Sequence, residues 1–372
     1  MTLLAVLLSL ILALPGGAVE LTAAVSDSGV LSDAAQAGLQ ALLDGMRLTI
    51  SPEGFDVTSG EETLLWARLN GGEGMVVSGS AAAPLTAQTA QAGGMAALTA
   101  QVGRLLGEQA QASGKTVDLQ EAGTARRQLV YTLTGAEWAA VWPDVTDILC
   151  SYVPGAEALR EMRIQQKGVF KRYFSQDGEE IGAYFYTAAA SLAGATREIR
   201  LEYGYQPERG LYLTFRCPDA AGNTNLRIAL HARNAKGIWT LKGELRRTAA
   251  EASAVYSISG KTNGKLTLES TEKNGKTTVR RELTLQLREK EADFVLTRGG
   301  GRMLSGTVRW QAASLPAREM PGTAEGMEAV SGRLAGRLLA ALTQAAPDSW
   351  QQILHYLAGT AWIDAQGEET KP

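Results

Sequence analysis

From about Arg160 to Ala312 the chain repeats one pattern: short segments that alternate apolar and polar residues, joined by tight polar turns. In Leu226–Arg233, Leu226, Ile228, Leu230 and Ala232 point one way, and Arg227, Ala229, His231 and Arg233 the other. Side chains alternate across a strand with period two, so this is a strand with one wet and one buried face. Val279–Glu289 repeats it, with Leu283, Leu285 and Leu287 inside and Arg280, Glu282, Thr284, Gln286 and Arg288 outside. Leu304–Gln311 places Leu304, Val308 and Trp310 inside and Ser305, Thr307, Arg309 and Gln311 outside.

The connections are hairpin connections. Asn263-Gly264, Asn274-Gly275 and Asp177-Gly178 are dipeptides that accept positive φ, while Gln206–Gly210 and Asn234–Gly237 fit longer loops. The pattern predicts roughly ten strands pairing with their sequence neighbours, an antiparallel meander. Twist accumulates in a sheet of that size and curls it. The Leu/Ile/Val-rich face then needs a cover.

Helical periodicity supplies candidates for the cover. Ser32–Met46 carries Ala35, Leu39, Leu42, Leu43 and Met46 on one stripe, with Ser32 as N-cap. Thr86–Gln111 carries Met95, Leu98, Val102, Leu105 and Leu106, with Gly93 and Gly94 weakening its middle. Thr134-Gly135-Ala136-Glu137 is a capping box before Trp138, Val141, Trp142, Val145 and Ile148, and Pro143 is expected to bend or divide that helix. Glu325–Ala345 carries Met327, Val330, Leu334, Leu338 and Leu342, and Asp348 or Ser349 caps a short helix through Leu357. Strand-like pieces lie at Arg47–Ile50, Leu64–Leu69 and Met75–Ser78, with breaks near Pro52, Gly71-Gly72 and Pro84. The fold class is α+β: a large curved, half-barrel-like antiparallel meander covered by N- and C-terminal helices. No linker demands two domains. Residues 19–372 are expected to form a single domain, with a mixed helix/strand part at 19–157, the meander at 158–313 and the terminal helices at 314–372.

The first eighteen residues stand apart. Leu3–Leu14 is almost continuously apolar and is followed by Pro15-Gly16-Gly17-Ala18, a hydrophobic region with a small-residue cleavage site. This predicts a signal peptide over residues 1–18, Val19 as the mature N-terminus, and a secreted or cell-envelope protein. The run is short for a membrane span, and no Lys or Arg precedes it; an uncleaved N-terminal anchor is the alternative. In an exported chain, Cys150 and Cys217 are either a disulfide or two buried thiols, and their spacing does not decide.

Net charge is −3, yet it is unevenly spread. Residues 19–150 carry 6 basic and 15 acidic side chains, and residues 226–311 carry 17 basic and 8 acidic. The basic stretch fits either a surface for anionic lipid or polymer, or charges that guard a large sheet against edge pairing. Nucleic acid is not an expected partner, since no RNP-like or helix-turn-helix pattern is present; transient membrane contact is compatible with the charge.

Chemistry is hard to find. The two histidines, His231 and His355, sit on polar faces and read as solvated. No H-E-x-x-H, paired C-x-x-C, EF-hand loop or G-x-S-x-G elbow occurs. Gly-Lys-Thr appears at Gly114, Gly260 and Gly275, but the glycine a P-loop needs five residues earlier is replaced by Gln109, Val255 and Ser270. Glu61-Glu62 and Glu179-Glu180 are adjacent pairs, which face opposite sides of a strand. The seven tryptophans read as core or sheet–helix contacts. No catalytic, cofactor-binding or metal-binding residue is nominated, and no cofactor is expected.

Taken together, the export signal, the curled meander over Arg160–Ala312 and the covering helices resemble the extracytoplasmic lipid and lipoprotein carriers with LolA-like half-barrels. The resemblance is one of architecture. It implies a concave apolar face and a helical lid around a cavity for acyl chains, and it carries over no individual residue. Three readings follow: a non-catalytic protein binding a hydrophobic or lipid-like ligand in a sheet/helix cavity; a cell-surface structural or polymer-interaction module using the basic sheet face; and an unrecognised carboxylate-dependent enzyme.

Overall fold

The computed structural model describes residues 18–27, 31–51, 53–70, 73–86, 94–107, 110–152, 159–192, 194–218, 225–249, 251–358, 362–363 and 369–370. The expected signal segment, apart from Ala18, lies outside them, as do Pro52 and Gly71-Gly72.

Antiparallel strand dominates. In chain order the elements are β1 (Ala18–Asp27), α1 (Asp33–Gly45), β2 (Met46–Ser51), β3 (Gly54–Ser59), β4 (Glu62–Asn70), β5 (Glu73–Ser78) and β6 (Ala81–Thr86). Then come α2 (Gly94–Leu106), β7 (Gln111–Ser113), β8 (Arg127–Leu133), α3 (Gly135–Tyr152), β9 (Gly168–Phe174), β10 (Glu180–Leu192), β11 (Ala195–Gln206) and β12 (Gly210–Pro218). The meander continues through β13 (Asn225–Ala235), β14 (Ile238–Thr248), β15 (Ala252–Lys261), β16 (Lys265–Asn274), β17 (Thr277–Leu287), β18 (Glu291–Arg298) and β19 (Gly301–Ala313). The helices α4 (Met327–Ala345) and α5 (Trp350–Ala358) follow. Two-residue ladders elsewhere are left unnumbered.

The chain divides into two compact units, Met1–Ala87 with Leu285–Pro372, and Gln88–Thr284. The division falls inside β17, within the run that the alternation pattern treats as one meander.

In the first unit the strands pair in the order β18, β19, β1, β2, β3, β4, β5, β6, all antiparallel. Among the described residues no ladder joins β18 to β6, so the sheet is open. Ser32 caps α1 as expected: its hydroxyl accepts from the Ala35 amide at 3.3 Å. The predicted stripe is the buried one, since Ala35 and Leu39 pack with Val25, Leu342, Ala346 and Ile353. Gly38 permits that approach, because a Cβ there would stand 2.4 Å from the Ala346 Cβ. Val330 of α4 packs on Ala67, Val76, Ala81 and Ala83. The segment between β19 and α4 is tied down by charge. Buried Asp56 lies 2.5 Å from Arg68 and 2.9 Å from Arg318, and Arg68 also donates to the Pro316 carbonyl at 2.7 Å.

In the second unit β7 to β16 pair in sequence, with β8 next to β9, and β17 pairs with β16. The capping box forms at α3: the Thr134 amide donates to Glu137 Oε2 at 2.7 Å, and the Glu137 amide donates to the Thr134 hydroxyl at 3.3 Å. Trp138, only 1% exposed, meets Trp142 and Phe185 edge-on. Its indole lies against β9, where a Cβ on Gly168 would come within 2.3 Å of Nε1. Leu98, Val102 and Leu106 of α2 complete the same core. Arg172 and Glu180 form a half-buried ion pair at 2.5 Å, and Glu180 also accepts from the Thr99 hydroxyl at 2.6 Å.

Several expectations need correction. Thr86 closes a strand rather than opening a helix; α2 starts at Gly94, and Gln111 begins β7. Pro84 is no break but sits in β6, an edge strand of its sheet, where a missing N–H is tolerated. Pro143 does not divide α3, which runs through it. Met95 and Met327, placed on apolar stripes, lie 38% and 51% exposed in first turns. Ser305, assigned to the wet face, is buried beside β1, with Ser26 Oγ at 3.3 Å. Two turns also differ. Lys236 and Gly237, at φ +55° and +83°, make a two-residue type I′ loop in place of a longer one. The β16–β17 loop is Gly275-Lys276, one residue later than the Asn-Gly dipeptide. The cysteines are both free and buried.

Candidate ligand-binding face

The register of the second unit lines its apolar residues up in rows across the strands. One row runs through Phe215, Ile228, Leu245 and Tyr256; the next through Leu213, Leu230, Gly243, Ile258 and Leu268; a third through Leu211, Ala232, Leu241, Gly260 and Leu266. Alternation puts them all on one face. Gly243 shows how tightly the middle row is drawn together: a Cβ there would meet Ile258 Cγ2 at 2.8 Å and Leu230 Cδ1 at 3.0 Å.

Burial along this face is uneven. On β9 to β12 it is covered by the tryptophan-bearing core, whose described membership ends at Leu226. Beyond it, Ile228, Leu230, Leu241, Leu245 and Ile258 are half-buried and Tyr256 is exposed at 36%. Leu266 and Leu268 on β16 are buried again. The rows end at charge. Arg247, Ala254 and Glu272 occupy the next row out. The Tyr256 hydroxyl donates to Glu272 at 3.2 Å, and Arg281 lies 3.3 Å from the same carboxylate. Burial, then Glu272, push the Tyr256 phenol above its ordinary pKa, against the pull of Arg281 and Arg247. Among the described residues the Arg247 side chain makes no ion pair or hydrogen bond. The face is apolar along three rows and cationic at one end.

The residues that sequence reasoning weighed for chemistry do not converge. His231 is not solvated as expected. It is half-buried, 3.1 Å from both oxygens of Glu121 and packed on Tyr212, because the segment around the 3-10 turn Gln120–Ala122 lies over that side of the sheet. Glu180 is held by Arg172, whereas its neighbour Glu179 is exposed. Burial works against the Arg172 charge, but Glu180 and then Tyr131 together outweigh it and raise the guanidinium pKa. Glu62 pairs with Arg337 at 3.3 Å. Burial raises the Cys217 thiol pKa, with Arg197 opposing, so the thiol is a poor nucleophile. Among the described residues no three His, Cys, Asp or Glu side chains gather as a metal site, and no helix is long and apolar enough to cross a membrane. A separate cleft of about 140 Å3 in the first unit is lined by Thr22, Ala23, Ala24, Leu43, Asp44, Arg47, Thr307 and Arg309, a mostly polar lining unlike the apolar rows.

Sequence reasoning assigned the strand faces correctly for β13 but did not find the charged end of the rows. Arg247 and Tyr256 became visible only once the register was known. Comparison of the chain with protein-family models, with curated proteins and with solved structures finds no match.

Proposed function

We propose that this is an exported, non-catalytic protein that binds an acyl-chain amphiphile on the apolar face of β13 to β16. The observation that carries the reading is the run of half-buried apolar side chains beyond the tryptophan core, from Ile228 to Ile258, ending at Arg247. Half-buried apolar rows still expose area to water, and each methylene buried against them is worth about 0.8 kcal/mol. Arg247, together with the Tyr256–Glu272–Arg281 network, suits an anionic headgroup at the end of the chain. In this reading the sheet curves and the helices α2 and α3 cover one part of its apolar face, leaving the other part for the ligand. The lining of this face is apolar, and no acid–base pair or nucleophile is needed for the protein to act. Cleavage after Ala18 would remove the Ala18–Ala313 pairing and keep those of Val19 with Ile50 and Ala312.

Native mass spectrometry of the protein purified from its own host tests the proposal. The expected result is a chain beginning at Val19 with a bound amphiphile that organic solvent releases. A ligand-free protein that also takes up no added fatty acid would refute the binding, and a chain beginning at Met1 would refute the export.

A further inference from the structure

We propose that the opposite, solvent-facing side of the second unit carries a track for a linear polyanion, centred on a row of four arginines. The register sets Arg200 opposite Arg216, Arg216 opposite Arg227, and Arg227 opposite Arg246, on the four adjacent strands β11 to β14. All four side chains are exposed. One charge per strand gives a spacing of about 4.8 Å and a track of roughly 14 Å.

The fold itself gives no reason for this row. Like charges directly opposite one another destabilise a sheet. Guarding a free edge does not account for it either, since each of these strands is hydrogen-bonded on both sides. Compensation is thin. Arg246 has Glu244 at 3.3 Å, and Arg200 lies over the Tyr184 ring at 5.5 Å. Among the described residues the Arg216 and Arg227 side chains make no ion pair or hydrogen bond.

The track is one residue wide. On one side the neighbouring row is Glu202, Thr214, Ala229 and Glu244. On the other side Glu198 stands two residues from Arg200 along β11. A flat anionic membrane would press on these carboxylates as well as on the arginines. A single chain lying across the strands meets the arginines alone. At one end Tyr186 stands opposite Arg200 and stacks on Tyr184 at 6.5 Å, which offers ring faces to a sugar. The spacing is close to one pyranose ring, and guanidinium pairs bidentately with carboxylate. The chemistry therefore points to an anionic polysaccharide with one carboxylate per sugar.

The test titrates the intact protein with polygalacturonate, dextran, phosphatidylglycerol vesicles and a single-stranded oligonucleotide. The expected result is saturable, salt-sensitive binding of polygalacturonate, tighter than of the vesicles or the oligonucleotide, and none of dextran. The double variant Arg216→Gln/Arg227→Gln should keep or raise the melting temperature and weaken that binding by on the order of tenfold. Lys273→Gln/Lys276→Gln, which removes the same charge away from the row, should leave it unchanged. Absent polygalacturonate binding, tighter binding of vesicles or oligonucleotide, or equal losses in the two double variants would overturn the proposal.

Discussion

Strands β9 to β12 and strands β13 to β16 share one meander, the same hairpin connections and the same alternation, yet their apolar faces end differently. In the first set Phe170, Ala183, Ile199, Tyr203 and Cys217 are buried in a core built on Trp138 and Trp142. In the second set the equivalent positions on β13 to β15 stay mostly half-buried. Alternation specifies which face is apolar; it does not specify what fills it. The filling comes from other elements, here α2 and α3, and where it stops the face stays half-buried.

The contrast is sharpest in stability. Trp138→Ala should cost about 3–5 kcal/mol, because it empties the centre of the filled half. Chemical denaturation measures this, and a loss under about 1 kcal/mol would mean that the core is not where the packing places it. Glu180→Ala comes next, at about 2 kcal/mol, since it leaves the half-buried Arg172 guanidinium without its partner. Arg172→Met in the same background should restore much of the loss, which a generic packing defect would not allow. In the half-filled part, Ile258→Ala should cost only about 1 kcal/mol, reflecting a side chain that keeps part of its exposure. If Ile258→Ala matched Trp138→Ala, the two halves would be equally filled and the comparison would fail.

The smallest effect is at the α3 cap. Thr134→Ala should cost about 1 kcal/mol or less. The Thr134 amide, and then its hydroxyl, hold the Glu137 carboxyl below its ordinary pKa of 4.5. A lowered carboxyl stabilises the fold fully above that ordinary value and loses the contribution as pH falls through the lowered one. The difference between wild type and Thr134→Ala should therefore narrow in acid, which thermal melts at neutral pH and well below pH 4.5 would show.

Much of the local structure was legible in the sequence. The Ser32 cap, the Thr134/Glu137 capping box and the inward set Leu226, Ile228, Leu230 and Ala232 each rest on neighbours in the chain, which a local pattern can report. What was missed depends on distant partners. β1, β3 and β8 carry weak alternation and owe their place to the strands beside them. Pro84 looked like a break because edge status cannot be read from a segment alone. Asp56 gave no sign that two arginines, one of them 262 residues away, would enclose it. The arginine row was present in the composition as a basic stretch, but only the register turns it into a line.

Fluorescent acyl-probe titration of wild type beside Leu245→Asp tests the central claim most directly. Leu245 sits at the half-filled face, between Ile228 and Tyr256 and two residues from Arg247. The account predicts saturable binding to wild type, lost or reduced by on the order of tenfold in Leu245→Asp, while circular dichroism shows the strand content retained. Equal probe binding by the two proteins, or no saturable binding to wild type, would contradict it.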